Sequence, residues 1–411
     1  MSLQELPMVF VLMGLVFYVV LGGADFGAAM WQFAVGRGER GERIREHAHE
    51  AVGPVWEANH VWLIFVLTVT WTAYPAAFGS LASTLSVALF VAGLGIIVRG
   101  AAYALRSGTT DPREIGRIDA ASAVSSVLTP FALGAAIGGL ATGRVPFGNA
   151  KGDLITSWLN PPSIFIGALA VAFCAYLAAV YLAADAARRG DAELVAAFRA
   201  RALGAGAVAG VLSVAGLVVL HHDAYRLYHE LLDGDGLPAV IVSGIAGIAT
   251  FGLVVRGRFE PARYTAGVAV AAIVAGWALA QSPIFLPGLT VKQAAAPHDV
   301  LVAITVAVLG GAVILFPSLV LLFRLTLGGR LGHGHEEQAA TSVVARRELV
   351  LAAAPGLLGR VAAALLLAGF GLLTVAEAGW AHAVGVVALF GFIVAGFAGT
   401  VPALLESEPG A

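Results

Sequence analysis

The sequence predicts an all-α polytopic membrane protein, and three observations carry the prediction. Hydrophobic residues fill 59% of the 411 positions and charged residues only 12%, about half the charged share of an ordinary soluble domain. Apolar stretches of about 20 residues, enough to cross roughly 30 Å of hydrocarbon as a helix, recur along the whole chain. The basic residues between them alternate from loop to loop, as the positive-inside rule demands of a multi-pass protein. A β-barrel would show short segments of alternating polarity, whereas these runs are long, uniformly apolar and rich in Ala, Leu, Val and Gly. Helices are expected throughout, and no sheet.

Eleven spans are expected, at about 7–35, 53–73, 76–104, 118–141, 162–186, 202–221, 238–256, 264–282, 299–323, 358–377 and 380–404. Placing the N-terminus outside puts Arg37, Arg40, Arg43 and Arg45 in the first inner loop and Arg106, Arg113 and Arg117 in the second. The next two hold Arg188, Arg189, Arg199 and Arg201, then Arg256, Arg258 and Arg263, and the last holds Arg324, Arg330, Arg346 and Arg347. The outer loops then hold only Arg144, Lys151, Arg226 and Lys292. One missed helix would invert every later loop and destroy this sorting. The opening "MSLQELP" has no basic n-region, and no small-residue cleavage site closes the first span, so that span reads as a retained helix.

Several function classes fall away. The single cysteine, Cys174, excludes a disulfide framework or a cysteine metal site. No basic, aromatic-interleaved face suggests nucleic acid. "HGHEE" at 333–337 lies in a polar Gly-containing linker without further ligands and reads as a solvated loop.

What remains to explain is a carboxylate in the first span. "GGADFGAAMW" (22–31) puts Asp25 about ten residues, or roughly 15 Å, from the inner end of that helix. A carboxylate near the bilayer centre costs roughly 2.5–3.5 kcal/mol, so partners are expected. The second span, entering from inside with "GPVWEANHVW" (53–62), carries Trp56, Glu57, Asn59 and His60. The third brings Arg99 in "IIVRGAAY", and the fourth brings Asp119 in its first turn. Four consecutive helices thus place polar residues in the same half of the membrane. With Asp25, Glu57, Arg99 and Asp119 all ionised the cluster would carry a net negative charge, and a protonatable carboxyl open to one side is an element of a proton path. The alternative is that Asp25 and Arg99 pair only to tie two helices together, with Glu57 and Asp119 complementing helix N-termini.

Histidines raise the question of haem. Of the ten, only His60 sits clearly inside a span, and two-imidazole ligation would need a second at the same depth. "HHDAYRLYHE" (221–230) lies at an outer helix end, where His, Tyr and Arg commonly anchor to headgroups. This chain is expected to bind no haem and no metal of its own.

"LGGADFGAAMW", "GPVWEANHVWL", the "VRG" at Arg99 and "LPGLTVKQAAAP" (286–297) resemble subunit II of cytochrome bd-type quinol oxidases, in order and at similar spacing over roughly residues 5–325. The resemblance implies two four-helix bundles plus a peripheral helix, in the bacterial plasma (inner) membrane. It implies a heterodimer with a subunit I that holds haem b and haem d, oxidises quinol and reduces dioxygen to water, and it leaves room for a bound quinone. On this chain it implies no haem ligands but a proton path through Asp25, Glu57 and Asp119, with Arg99 as charge partner and Trp56, Asn59 and His60 as motif neighbours. Glu57 stands where relatives usually have aspartate, and His60 where many have glutamine.

The resemblance divides the chain into a nine-helix core (1–327), a polar cytoplasmic linker (328–352) and an extra transmembrane hairpin (353–411). Glu377 and His382 lie near the outer turn of that hairpin, which reads as peripheral or lipid-facing. The rival reading is a secondary transporter with an intramembrane acidic ion site. Against it, half-helix signatures do not recur at matching positions in two halves of the sequence.

Overall fold

The structure, a computed structural model, describes residues 2–35, 38–52, 56–106, 112–327, 357–375 and 379–405. The chain is an all-α multi-pass membrane protein, because with no water in the hydrocarbon only a helix satisfies its own backbone groups segment by segment. Two compact units divide it, Met1–Val313 and Ile314–Ala411.

The first span is α1 (Leu6–Phe17), a π-helical turn (Tyr18–Gly22) and α2 (Gly23–Phe33). There follow α3 (Glu39–Val52), α4 (Trp56–Ala73), α5 (Pro75–Thr84), α6 (Ser86–Arg106), α7 (Pro112–Ala141), α8 (Pro161–Arg188) and α9 (Ala192–Asp223). Next come α10 (Tyr225–Leu232), α11 (Leu237–Val255), α12 (Phe259–Gln281), strands β1 (Ile284–Leu286) and β2 (Leu289–Thr290), α13 (Val291–Ala294) and α14 (His298–Leu327). In the second unit α15 (Leu357–Val375) and α16 (Gly379–Leu405) form an antiparallel pair, with Leu389 against Gly369 and Leu365 against Gly391.

Among the described residues eight helices are long and apolar enough to cross a membrane; three shorter apolar helices, Asn59–Ala73, Leu357–Gly369 and Gly379–Ala395, lie on other expected spans. The polar linker lies outside the described residues.

The elements depart from the sequence expectation in five places. The third span is two helices, α5 and α6, meeting at Leu85; Ser80 and Ser83 just before it donate to the carbonyls of Ala76 and Ser80, a competition with the backbone that such residues bring to helices. The sixth span starts ten residues early, because Asp191 caps α9 by accepting from the backbone N–H groups of Glu193 and Leu194, each at 3.1 Å. Amphipathic α3 and α10 fill segments expected as loops, burying Ile44 and Ala48, and Leu227 and Leu231. A small antiparallel ladder corrects the expectation of no sheet: Ile284 pairs with Thr290 and Leu286 with Leu289. Gly288, at φ 77°, supplies the left-handed residue that turn needs, and Thr290 then caps α13 in a reciprocal capping box with Gln293.

In the first unit α8 runs through the core, with nearly every residue from Tyr176 to Ala186 buried. Its alanines let neighbouring backbones come close, the usual basis of helix packing in lipid. At one end of the helices Arg43 of α3 donates to both Asp191 and Glu193 of α9, while Arg263 of α12 meets Asp185 at 3.1 Å and Arg188 meets Glu260 at 2.8 Å. The Leu194 backbone N–H, joined by Arg43, holds the Asp191 carboxyl below the usual carboxylate range. This is the end that the basic residues assign to the inside. At the opposite end Tyr74 donates to the Gln4 carbonyl at 2.8 Å, Lys292 meets Glu5 at 3.3 Å, and the Ala296 N–H bonds the Ala73 carbonyl at 2.8 Å.

Candidate functional site

The π-helical turn precedes Asp25 by three residues. Such turns insert a residue into the helical ladder and often mark functional sites. After it, the period of α2 puts Asp25, Ala29 and Gln32 on one face (i, i+4, i+7). The period of α6 does the same for Arg99, Ala102, Tyr103 and Arg106, and the start of α7 adds Ile118, Asp119 and Ser122.

These faces meet. Asp25 is 7% exposed, Arg99 5% and Asn59 3%. The Asn59 side-chain amide donates to Asp25 Oδ2. The Arg99 guanidinium carbon stands 4.7 Å from the centre of the Phe26 ring, a cation–π contact in a dry setting. No ion pair closes between Arg99 and Asp25 among the described residues, and Arg99 Nη1 is buried with no hydrogen-bond partner among them. Arg99 also lines a cavity of ≈ 30 Å³, bordered by Gln32, His49, Arg106, Asp119 and Ser122. A space of that size is large enough for one water.

At the far side of this cavity Asp119 is ion-paired with Arg106 at 3.1 Å. The structure therefore brings Asp25, Asn59 and Arg99 together, and sets Asp119 across the cavity with a basic partner of its own. Glu57 and Trp56 lie on α4 within the turn before Asn59, and their side chains fall outside the described residues. His60 has the Tyr18 and Phe26 rings edge-on at 6.0 and 5.9 Å and lines neither described cavity. No group of three His, Cys, Asp or Glu suited to a metal occurs among the described residues.

Sequence reasoning overlooked Gln32, His49, Arg106 and Ser122. Their signal was helical spacing: Gln32 and Arg106 each lie seven residues beyond a residue already singled out, and Ser122 lies three beyond Asp119. His49 could be found only by recognising α3 as an amphipathic helix. Tyr18 and Cys174 also flank the site, both buried and packed with Phe26 in one apolar cluster.

Comparison with known proteins adds a lineage. The family described as "Cytochrome bd terminal oxidase subunit II" matches residues 3–326. Among curated relatives, "Cytochrome bd ubiquinol oxidase subunit 2" of Bacillus subtilis (strain 168) is 27% identical over 133 residues, 32% of this chain and 38% of that protein. "Cytochrome bd-I ubiquinol oxidase subunit 2" of Escherichia coli (strain K12) is 27% identical over 175 residues, 41% of this chain and 45% of that protein. The aligned stretches thus span less than half the length of either relative. A solved chain from "The structure of bd oxidase from Geobacillus thermodenitrificans" superposes with a TM-score of 0.64 at 23% identity, covering 80% of this chain and 99% of that one, a likeness of fold.

Proposed function

The chain belongs to the cytochrome bd terminal oxidase subunit II family, and from that premise we propose that it is the non-haem subunit of a bd-type quinol:dioxygen oxidoreductase in the bacterial plasma (inner) membrane. A haem-bearing subunit I is its partner, quinol and dioxygen are the substrates of the complex, and haem b and haem d belong to the partner and supply the electron and oxygen chemistry. This chain's own work is to bring protons from the inner side toward the site of water formation.

The observation that carries the proposal is the line from the Arg106–Asp119 pair, through the water-sized cavity, to Arg99 and the Asn59-held Asp25. Asp119 and His49 border the entrance. Asp25 holds the proton at Oδ1 while Asn59 fixes Oδ2. Glu57 is assigned to the same route by its position in the family's second motif. Ser122 and Gln32 provide hydroxyl and amide groups that orient water along it.

Purification of the tagged chain from its host membranes tests the assignment. A stoichiometric second chain, absorbance of haem b and haem d, and quinol-dependent oxygen consumption are the expected result. A chain that purifies without a haem protein and exchanges a solute across vesicles would overturn it in favour of a transporter.

The domain division follows as part of the proposal: the core closes before residue 328, and the α15–α16 hairpin is peripheral. Truncation after residue 350 should leave haem content and oxygen consumption within about twofold of the full chain, since every residue described at the Asp25 site lies in or before α8. Loss of haem on truncation would place the hairpin in the oxidase core.

A further inference from the structure

At the other end of the helices, the end assigned to the outside, lies a second cavity, of ≈ 300 Å³. The ends of α7 and α12, the start of α10 and the β1–β2 turn enclose it. Its lining combines apolar groups (Leu227, Ile284, Pro287) with Gln281, Arg226 and Tyr225. Gln281, the last residue of α12, is 8% exposed, and its Oε1 has no hydrogen-bond partner among the described residues. Leaving a buried acceptor unpaired is costly. The nearby Thr142 hydroxyl does not serve it, because that group donates to the Gly138 carbonyl at 2.8 Å. Arg226, at the exposed rim, makes no ion pair among the described residues.

A buried acceptor and a free cation on one cavity ask for a ligand that carries a hydrogen-bond donor and an anion close together. Phosphoethanolamine has both: its ammonium donates and its phosphate suits a guanidinium. The position at the helix ends, among aromatic side chains of the interfacial kind such as Tyr225, and the apolar lining favour a membrane lipid over a soluble phosphate ester. We propose that this cavity binds the headgroup of an aminophospholipid of the outer leaflet, with Gln281 Oε1 accepting from the ammonium and Arg226 holding the phosphate. Phosphatidylcholine, which has the same phosphate but no N–H, is the natural discriminator.

The site is independent of the proton path, so the chain is studied with whatever partners it brings through purification. The protein is reconstituted in nanodiscs of equal phosphatidylethanolamine, phosphatidylcholine and phosphatidylglycerol, and lipids retained after mild delipidation are quantified by mass spectrometry. Wild type should retain phosphatidylethanolamine over phosphatidylcholine by about tenfold, the scale of one charge-assisted hydrogen bond. Gln281→Met should abolish that preference, and Arg226→Gln should lower retention of all three phospholipids. Soluble O-phosphoethanolamine should fail to displace the lipid at millimolar concentration. Retention without preference, a preference untouched by both variants, a quinol retained in place of lipid, or full displacement by the soluble headgroup each overturns the proposal. Should Gln281→Met fail to assemble, the wild-type preference and Arg226→Gln still decide it.

Discussion

Replacing Asp25 with asparagine should lower oxygen consumption per assembled complex by an order of magnitude or more, with assembly preserved. Asparagine matches aspartate in size and keeps an oxygen to accept from the Asn59 amide, so the contact that seats the side chain survives. What disappears is the ability to load and release a proton at Oδ1. A positioned proton-transfer group contributes typically about 10²–10⁴-fold, and water in the cavity beside Arg99 can replace only part of that. Glu57→Gln should act in the same direction and Glu57→Asp mildly, because the latter keeps a titratable carboxyl.

A purely architectural role for Asp25 makes the opposite forecast. Removing one member of a buried charge pair strands the other at roughly 3–5 kcal/mol, so Asp25→Asn would impair assembly, and adding Arg99→Gln would restore it. Oxygen consumption normalised to haem separates the two. A normal rate per complex together with poor assembly would sink the proton-path reading.

How far the sequence reached follows from what kind of signal each feature leaves. The spans were legible because burial in lipid forces long apolar runs, and Asp25 and Arg99 stood out because a charge in such a run is expensive. Asn59, a neutral residue of the second motif, was legible only as a neighbour; its role as donor to Asp25 depends on how α4 rotates against α2, which no one-dimensional pattern records. Asp119 was read as a member of the Asp25 cluster by depth alone. Depth does not choose partners, and Arg106, two turns further along α6, pairs with it instead. The break at Leu85 and the β1–β2 ladder were missed for a different reason. Both lie where a few Ser, Thr or Gly residues redirect backbone hydrogen bonds locally, without changing the hydropathy on which span placement rests.

The second large effect is expected two residues from Asp25, at Gly27. A Cβ built there would fall 1.9 Å from the Cys174 carbonyl oxygen and 2.7 Å from the Ala178 Cβ. The first contact is with backbone in the middle of α8, the helix whose Tyr176–Ala186 stretch is almost wholly buried, so no side-chain rotation relieves it. Either α2 moves away from α8 or the helix ladder at Cys174 opens. Overpacking of a core usually costs about 1–3 kcal/mol, and a clash with fixed backbone belongs at the top of that range or above. Gly27→Ala should therefore cut the yield of assembled complex to about a tenth or less, and Gly27→Val should abolish it. Any Gly27→Ala complex that does assemble should also turn over slowly, since displacing α2 draws Asp25 away from Asn59. Gly210→Ala, in α9 with nothing within 4 Å of the added carbon, is the control; it should leave assembly unchanged or gain slightly, as helical glycine-to-alanine changes do at about 0.4–1 kcal/mol. Yield and thermal midpoint of the purified complex, measured side by side for the three variants, check the expectation. Wild-type yield and midpoint for Gly27→Ala would mean that α2 and α8 do not approach as closely as described, and the geometry that seats Asp25 would have to be redrawn.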